Sequence, residues 1–435
     1  MRGKRALTIV IAGTAAFAAV AGGYCASGQP GVGSAVLPTH AGLSVSFSTS
    51  SWVGGQTVNA TVTNIGPTIS TRRVDIPWTI TPTSVWSGVN QSTAGHLVVS
   101  NVNWNGKLPT GASTTMPVAM PVALPAALPA NFTVAPYVDM AGWPTPNLAS
   151  IKAATGVSTF SLAFVTSAGG CVPAWGGYPS LGLNSSDSQL AAMNSSIAGL
   201  RAAGGNVLIS FGGASGSELA QTCTDVQALT AAYQATVDKY RLARIDFDIE
   251  GAAQTDHAAN LRRGKAVAAL QTAMASSGKN LTVTFTLPVL ESGLTADGLG
   301  VLKDTATGGG RVDLVNVMAM DYGGANSAMG QAAINAGTKT AAQLGFLYPG
   351  LTSAERLGRI GVTPMIGEND VPAEIFTVND AKKVAAWAKA NSVGEISWWS
   401  ATRDSPCANN AAFASPTCSG TTNPAWAYAL GFTTQ

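Results

Sequence analysis

The chain has 435 residues, more than one ordinary domain, and its 46% hydrophobic content and 49 glycines suit globular structure with many tight turns. Its 24 basic and 22 acidic residues leave a formal charge of +2 with no long basic run, which sets aside nucleic acid as a partner. Only 11% of residues are charged, so any cluster of carboxylates stands out.

Arg2, Lys4 and Arg5 precede an apolar run from Ala6 to about Ala21, followed by small residues. This is the pattern of an export leader over 1–26, cleaved after Gly23 or Ala26. A membrane anchor would need a polar stop-transfer flank, which is missing, and Tyr24 before Cys25 argues against lipoprotein processing. No other stretch is long and apolar enough to span a bilayer, so a secreted, extracellular and monomeric protein with no membrane partner is expected.

From about Ala41 to Met116 the text is rich in Ser, Thr, Val and Asn with period-two runs, "LSVSFST", "TVNATVTN" and "HLVVSNVNW". Short strands of this kind predict an all-β module, a sandwich over 41–116. Pro117, Pro121, Pro125 and Pro129 then recur every fourth residue, which predicts a semi-rigid extended linker over 117–131.

Beyond the linker the rhythm changes. Apolar runs of strand length recur at "FTVAPYVDM", "VSTFSLAFV", "NVLISFGG", "RIDFDIEG", "LTVTFTLPV", "VDLVNVMAMDYGG", "RIGVTPMIG" and "EISWWS". Most of the gaps carry helical spacing: Val226, Leu229, Tyr233, Val237 and Tyr240 fall on one face, as do Ala266, Leu270 and Met274. Eight strands alternating with helices over 132–435 predict an α/β fold of the (β/α)8 barrel kind, whose chemistry sits at the C-terminal strand ends. The glycine-rich "FGGASG" has neither a dinucleotide fingerprint nor a phosphate-loop lysine and reads as a tight turn.

In "RIDFDIEG" the acids Asp246, Asp248 and Glu250 alternate with Ile245, Phe247 and Ile249. On a barrel strand the acids form a column, about 6 to 7 Å apart, rising toward the mouth. Burying three charges with no basic partner in the same segment is costly, so a proton is shared and the outermost acid stays protonated near neutral pH. A protonated Glu250 is the form that donates to a leaving-group oxygen. A solvated acidic face on a half-exposed sheet and a calcium or magnesium site are alternative readings of the same pattern.

The segment resembles the Asp-Gly-x-Asp-x-Asp-x-Glu signature of family 18 glycoside hydrolases, and "SFGG", "MAMDY" and "ISWWS" agree with that family in order, over about residues 132 to 435. The resemblance implies a chitinase that cleaves β-1,4 links of N-acetylglucosamine polymers without a cofactor. It implies Glu250 as general acid, Asp248 as the carboxylate that turns the substrate's N-acetyl group into the nucleophile, and Asp246 as its proton partner, with retention of anomeric configuration. It further implies Tyr137 against the acids, Trp398 as the hydrophobic floor, and Asp321 and Tyr322 as substrate ligands. Trp399 reads on its own as a core aromatic. Two positions depart from the family. Its leading Asp-Gly falls on Ala243 and Arg244, and Met320 stands where a tyrosine bonds the acetyl group. Tyr322, two residues on, would take that tyrosine's part by strand alternation. An inactive chitin-binding protein and an endo-β-N-acetylglucosaminidase are the alternatives, and the intact Glu250 argues against the first.

The 41–116 module resembles a family 2 carbohydrate-binding module through "SSWVGG", "TVTN", "SVWSGV" and "NVNWNGKLPTGAS". That resemblance implies Trp52, Trp86 and Trp104 as a surface row that stacks on sugar rings of chitin or cellulose, with Trp78 in the core. The cysteine pair that usually flanks such modules is missing.

Cys25 lies in the leader, which leaves four cysteines. Cys407 and Cys418 bracket a Ser/Pro/Asn-rich loop, so they are expected to pair, and by elimination Cys171 pairs with Cys223. Four buried thiols are the alternative. His40, His96 and His257 are scattered without metal-ligand spacing, and no metal is expected.

Overall fold

The computed structural model describes residues 6–10, 34–36, 43–52, 55–69, 71–77, 84–92, 96–121, 133–371, 373–407 and 414–433. The chain divides into two compact units after Leu124.

The N-terminal unit is all β. An antiparallel sheet of five strands runs in the order Ser34–Val36, Leu43–Trp52, Gly55–Asn64, Ser113–Pro121 and Ser84–Val85. A second sheet has the order Ala6–Val10, Thr71–Pro77, His96–Asn101 and Gly88–Asn90. Within the segment that reads as an export leader, the described backbone is thus the strand Ala6–Val10, parallel to Thr71–Pro77. Alternation along the long strands buries Ala60 and Val62 on one and Met116 and Val118 on its neighbour.

The proline series begins inside this sheet. Strand Ser113–Pro121 carries Pro117 and Pro121 while pairing with Gly55–Thr63, so the expected linker starts later than Pro117. Pro117 accepts a hydrogen bond from the Trp86 amide at 2.9 Å but has no N–H to return, and the ladder with Ser84–Val85 stops there. Pro125 and Pro129 lie outside the described residues.

The C-terminal unit is a closed barrel of parallel strands. The first strand is Thr133–Val134 with Tyr137–Asp139, and it is followed by Thr159–Ser167, Asn206–Gly212, Arg244–Asp248, Thr282–Leu290, Leu314–Met318, Ile360–Thr363 and Glu395–Ile396. The ring closes because Thr133–Val134 pairs with Glu395–Ile396 while Tyr137–Asp139 pairs with Ser161–Ala163. Helices Leu148–Thr155, Ser188–Ala202, Val226–Tyr240, His257–Ser276, Ala296–Thr307, Met329–Gln343 and Val378–Ala390 fall between successive strands, and Ala427–Thr433 follows the last. Short antiparallel strands, Pro173–Trp175 and Gly293–Leu294, attach to the second and fifth barrel strands.

Residues of odd number on the fourth strand face the helices. Phe247 is fully buried between Phe211 and Phe285, with ring centroids 5.5 and 5.3 Å away, and meets the edge of Tyr233 at 5.1 Å. Each such aromatic contributes roughly 1.5–3 kcal/mol by leaving water. Leu229, Tyr233, Val237 and Tyr240 form the buried stripe that the helical spacing predicts. Disulfides join Cys171 to Cys223 and Cys407 to Cys418.

Candidate active site

Residues of even number on the fourth strand point into the barrel, at the level set by the register of Ser210 against Asp246 and of Asp248 against Thr286. Asp246 is buried, and three hydroxyls from three other strands converge on it. Ser210 donates at 2.6 Å and Tyr137 at 2.9 Å to Oδ2, and Thr286 donates at 2.8 Å to Oδ1. Thr286 is held in turn by the Asn316 amide at 3.1 Å, and Asn316 by Thr363 at 2.9 Å. Donors aimed at both oxygens favour the carboxylate, whereas burial favours the acid, and burial prevails in pushing Asp246 up to about 6.

Asp248 sits one step higher, 4% exposed, and its Oδ1 has no partner among the described residues. Burial first, then the charges of Glu250 and Asp246, push its carboxyl well above the usual range. Glu250 stands at the strand end beside the cleft. Burial and the nearby Asp321 raise it to about 7, so it carries a proton through much of the neutral range.

The upper two acids open into a cleft whose walls include Asp248, Glu250, Tyr137, Met320 and Asp321. Its hydrophobic wall is Trp399 with Phe164, together with Met318 and Met365. The close approach of the third strand's end needs glycine at two places. A side chain on Gly212, at φ +104°, would meet the Asp248 carbonyl, and one on Gly213, at φ +90°, would meet the Phe164 ring.

Two expected site residues lie elsewhere. Trp398 is 1% exposed and stacks on Phe432, centroids 4.7 Å apart, on the helix side of the sheet. Period two explains this: Glu395 and Ser397 face inward, where they meet Arg244 and the Ala135 carbonyl, so Trp399 follows them and Trp398 faces away. Tyr322 does not line the cleft. The sixth strand ends at Met318 and Asp321 adopts φ +50°, so alternation no longer carries from Met320 to Tyr322. Asp321 instead accepts from the Val371 amide at 2.9 Å, and Tyr322 donates its amide to Glu374 at 3.0 Å.

The acid column also has a basic partner within its own segment, contrary to the sequence reading. Arg244, inward like the acids above it, bonds Thr284 at 2.8 and 3.0 Å and pairs with Glu395. Thr286, Phe164 and Asp370 line the cleft without standing in any sequence motif, and Ser210, inside "SFGG", carries no role that the motif itself assigns. Register opposite Asp246 and Asp248 was the available signal for Ser210 and Thr286.

In the N-terminal unit Trp104 is 75% and Trp86 50% exposed. The Asn105 amide donates to the Ser87 carbonyl at 2.7 Å, which ties the two tryptophan-bearing turns together. The side chain of Trp52 and all of Trp78 lie outside the described residues.

A closed parallel barrel that presents stacked carboxylates at a strand end, in a cleft walled by tryptophan and phenylalanine, defines a barrel glycoside hydrolase. Residues 142–356 match the model of glycosyl hydrolases family 18, and residues 44–137 match the cellulose binding domain. The catalytic domain of a hyperthermophilic chitinase from Pyrococcus furiosus is 32% identical, with a TM-score of 0.61 over 72% of this chain and 96% of that one. The chain belongs to glycoside hydrolase family 18. A probable bifunctional chitinase/lysozyme of Escherichia coli (strain K12) is 39% identical over 287 residues, 63% of this chain and 31% of that protein. Endochitinase 11 of Metarhizium anisopliae is 37% identical over 286 residues, 63% of this chain and 53% of that protein. The chain thus spans about a third and about half of the length of these two relatives.

Proposed function

We propose that the protein is an exported chitinase that cleaves β-1,4-linked N-acetylglucosamine polymers by substrate-assisted, retaining catalysis. The observation that carries this reading is the column itself: Glu250 at the cleft, Asp248 beneath it with a buried oxygen that has no partner among the described residues, and Asp246 fixed by three hydroxyls. In this reading Glu250 protonates the leaving oxygen. The free Oδ1 of Asp248 accepts the acetamido N–H and turns the acetyl oxygen onto the anomeric carbon. Trp399 supports the apolar face of that sugar. The N-terminal module supports attachment to insoluble polysaccharide through Trp86 and Trp104, which keeps the barrel at high local substrate concentration. The N-terminal run of basic then apolar residues and the two disulfides support export.

The test is release of soluble oligosaccharides from colloidal chitin, beside the same polymer stripped of its acetyl groups. Release from the acetylated polymer alone is expected. No release from chitin would refute the activity, and equal release from both would refute the substrate's part as nucleophile.

A further inference from the structure

We propose that Arg244, tied to Glu395, is a positioning residue that holds Asp246 as the carboxylate and thereby keeps the column's mobile proton on Asp248 and Glu250. The family pattern has a lower acid and a glycine where this chain has Ala243 and Arg244. The barrel floor here therefore carries a cation at Arg244, where the pattern has a glycine and no side chain.

Arg244 lies two residues below Asp246 on the same strand face, roughly 6–7 Å away along the strand. Its guanidinium is fixed by Thr284 of the fifth strand and Glu395 of the eighth, and its side chain is only 18% exposed while that of Glu395 is 2% exposed. It is held in place and shielded from water, so its charge acts at longer range than an exposed one would. The groups that face Asp246 are Tyr137, Ser210 and Thr286 as hydroxyl donors from the first, third and fifth strands, Asp248 above it and Arg244 below it. Glu395 reaches Asp246 only through Arg244, whose positive charge it partly offsets. Among these groups Arg244 is the cation that stabilises the Asp246 anion, and it opposes the burial that favours the acid. With Asp246 charged, a second charge on Asp248 is unfavourable, so the proton stays in the upper part of the column where Glu250 uses it.

The two members of the pair thus act on Asp246 in opposite directions, which separates this role from a merely structural one. The proposal rests on reading Asp246, Asp248 and Glu250 as the proton-carrying column, so its test includes a readout independent of hydrolysis. In full-length protein labelled with 13C at the aspartate carboxyl, the Asp246 signal, assigned by its loss in Asp246→Asn, is titrated by NMR. Arg244→Met is expected to raise the Asp246 midpoint by roughly one pH unit, Glu395→Gln to lower it, and Arg244→Lys to leave it within a few tenths. The acid limb of the pH profile of chitin-oligosaccharide hydrolysis should move the same way, with kcat changing more than KM. If Arg244→Met does not fold, Glu395→Gln carries the test. An unmoved midpoint in Glu395→Gln, or shifts of the same sign in the Met and Gln variants, would overturn the proposal. A wild-type protein inert toward chitin would refute the proposed function, while the titration would still decide the role of Arg244.

Discussion

Trp399 lies against Phe164, with ring centroids 5.6 Å apart and planes within 16°, in the wall of the cleft that Asp248 and Glu250 share. Its neighbour Trp398 stacks on Phe432 instead, on the opposite side of the sheet. Adjacent tryptophans therefore have different surroundings, one at the cleft and one in the packing between sheet and helix. Trp399→Ala should lower kcat/KM on the order of tenfold to a hundredfold, about 1.4 to 3 kcal/mol, with little change in Tm. Trp398→Ala should cost about 3–5 kcal/mol of stability. Thermal melts beside steady-state kinetics check both, and the reverse assignment of effects would contradict the placement.

Glu250 must keep its proton to donate it, and Asp246 must be ionised to anchor its three hydroxyls. Activity should therefore fall as pH rises through the Glu250 value, about 7, and as it drops through the Asp246 value, about 6. A narrow bell in kcat/KM with its maximum between these values follows. Asp321 is one of the two causes that raise Glu250, after burial, so Asp321→Asn should move the alkaline limb to lower pH. A pH profile of the variant with an unmoved or raised alkaline limb would contradict the coupling.

Asp248 is a site residue held at a cost to the fold. Its folded carboxyl titrates well above that of an unfolded chain, so the folded state binds more protons and stability falls as pH rises from about 4 upward. Asp248→Asn removes the buried charge. The variant should gain about 1 kcal/mol, or ~2–4 °C in Tm, at pH 8 and little at pH 4, while hydrolysis is lost. Calorimetry at the two pH values checks the sign.

The two disulfides differ in the loop they close. Cys171 and Cys223 are 52 residues apart and Cys407 and Cys418 are 11 apart. Loop-closure entropy gives about 4 kcal/mol for the first and about 3 kcal/mol for the second. Replacing Cys171 and Cys223 with serine should therefore lower Tm more than replacing Cys407 and Cys418, as measured by calorimetry on the two double variants.

Trp86 and Trp104 are exposed in the N-terminal unit. Their joint replacement by alanine should abolish pelleting with insoluble chitin or cellulose and leave hydrolysis of soluble oligosaccharides unchanged. Unaltered pelleting would remove these two residues from the binding face.

The barrel was legible because its eight strands are long apolar runs separated by helical stripes, and the column because three acids alternate with Ile245, Phe247 and Ile249. The missed features depend on facts that local pattern does not carry. The inward phase of Trp399 was readable only by counting from Glu395, whose own direction is set by a partner 151 residues away in the chain, Arg244. Tyr322 was misplaced because alternation was extended past the end of the sixth strand, where Asp321 turns into the left-handed region. Pro117 and Pro121 read as linker because proline is unfavourable in a ladder, yet Pro117 occupies a position where only its carbonyl is used on the Trp86 side. Arg244 was read for what it replaced, and its partner on the eighth strand became visible only once the ring had closed.

Glu250→Gln tests whether Glu250 supplies the proton for cleavage. Gln keeps the size of the side chain and removes the acid. Release of soluble oligosaccharides from colloidal chitin should fall by roughly 10²–10⁴-fold in the variant, while Tm and pelleting with chitin stay at wild-type values. Undiminished release by Glu250→Gln would contradict that role for Glu250.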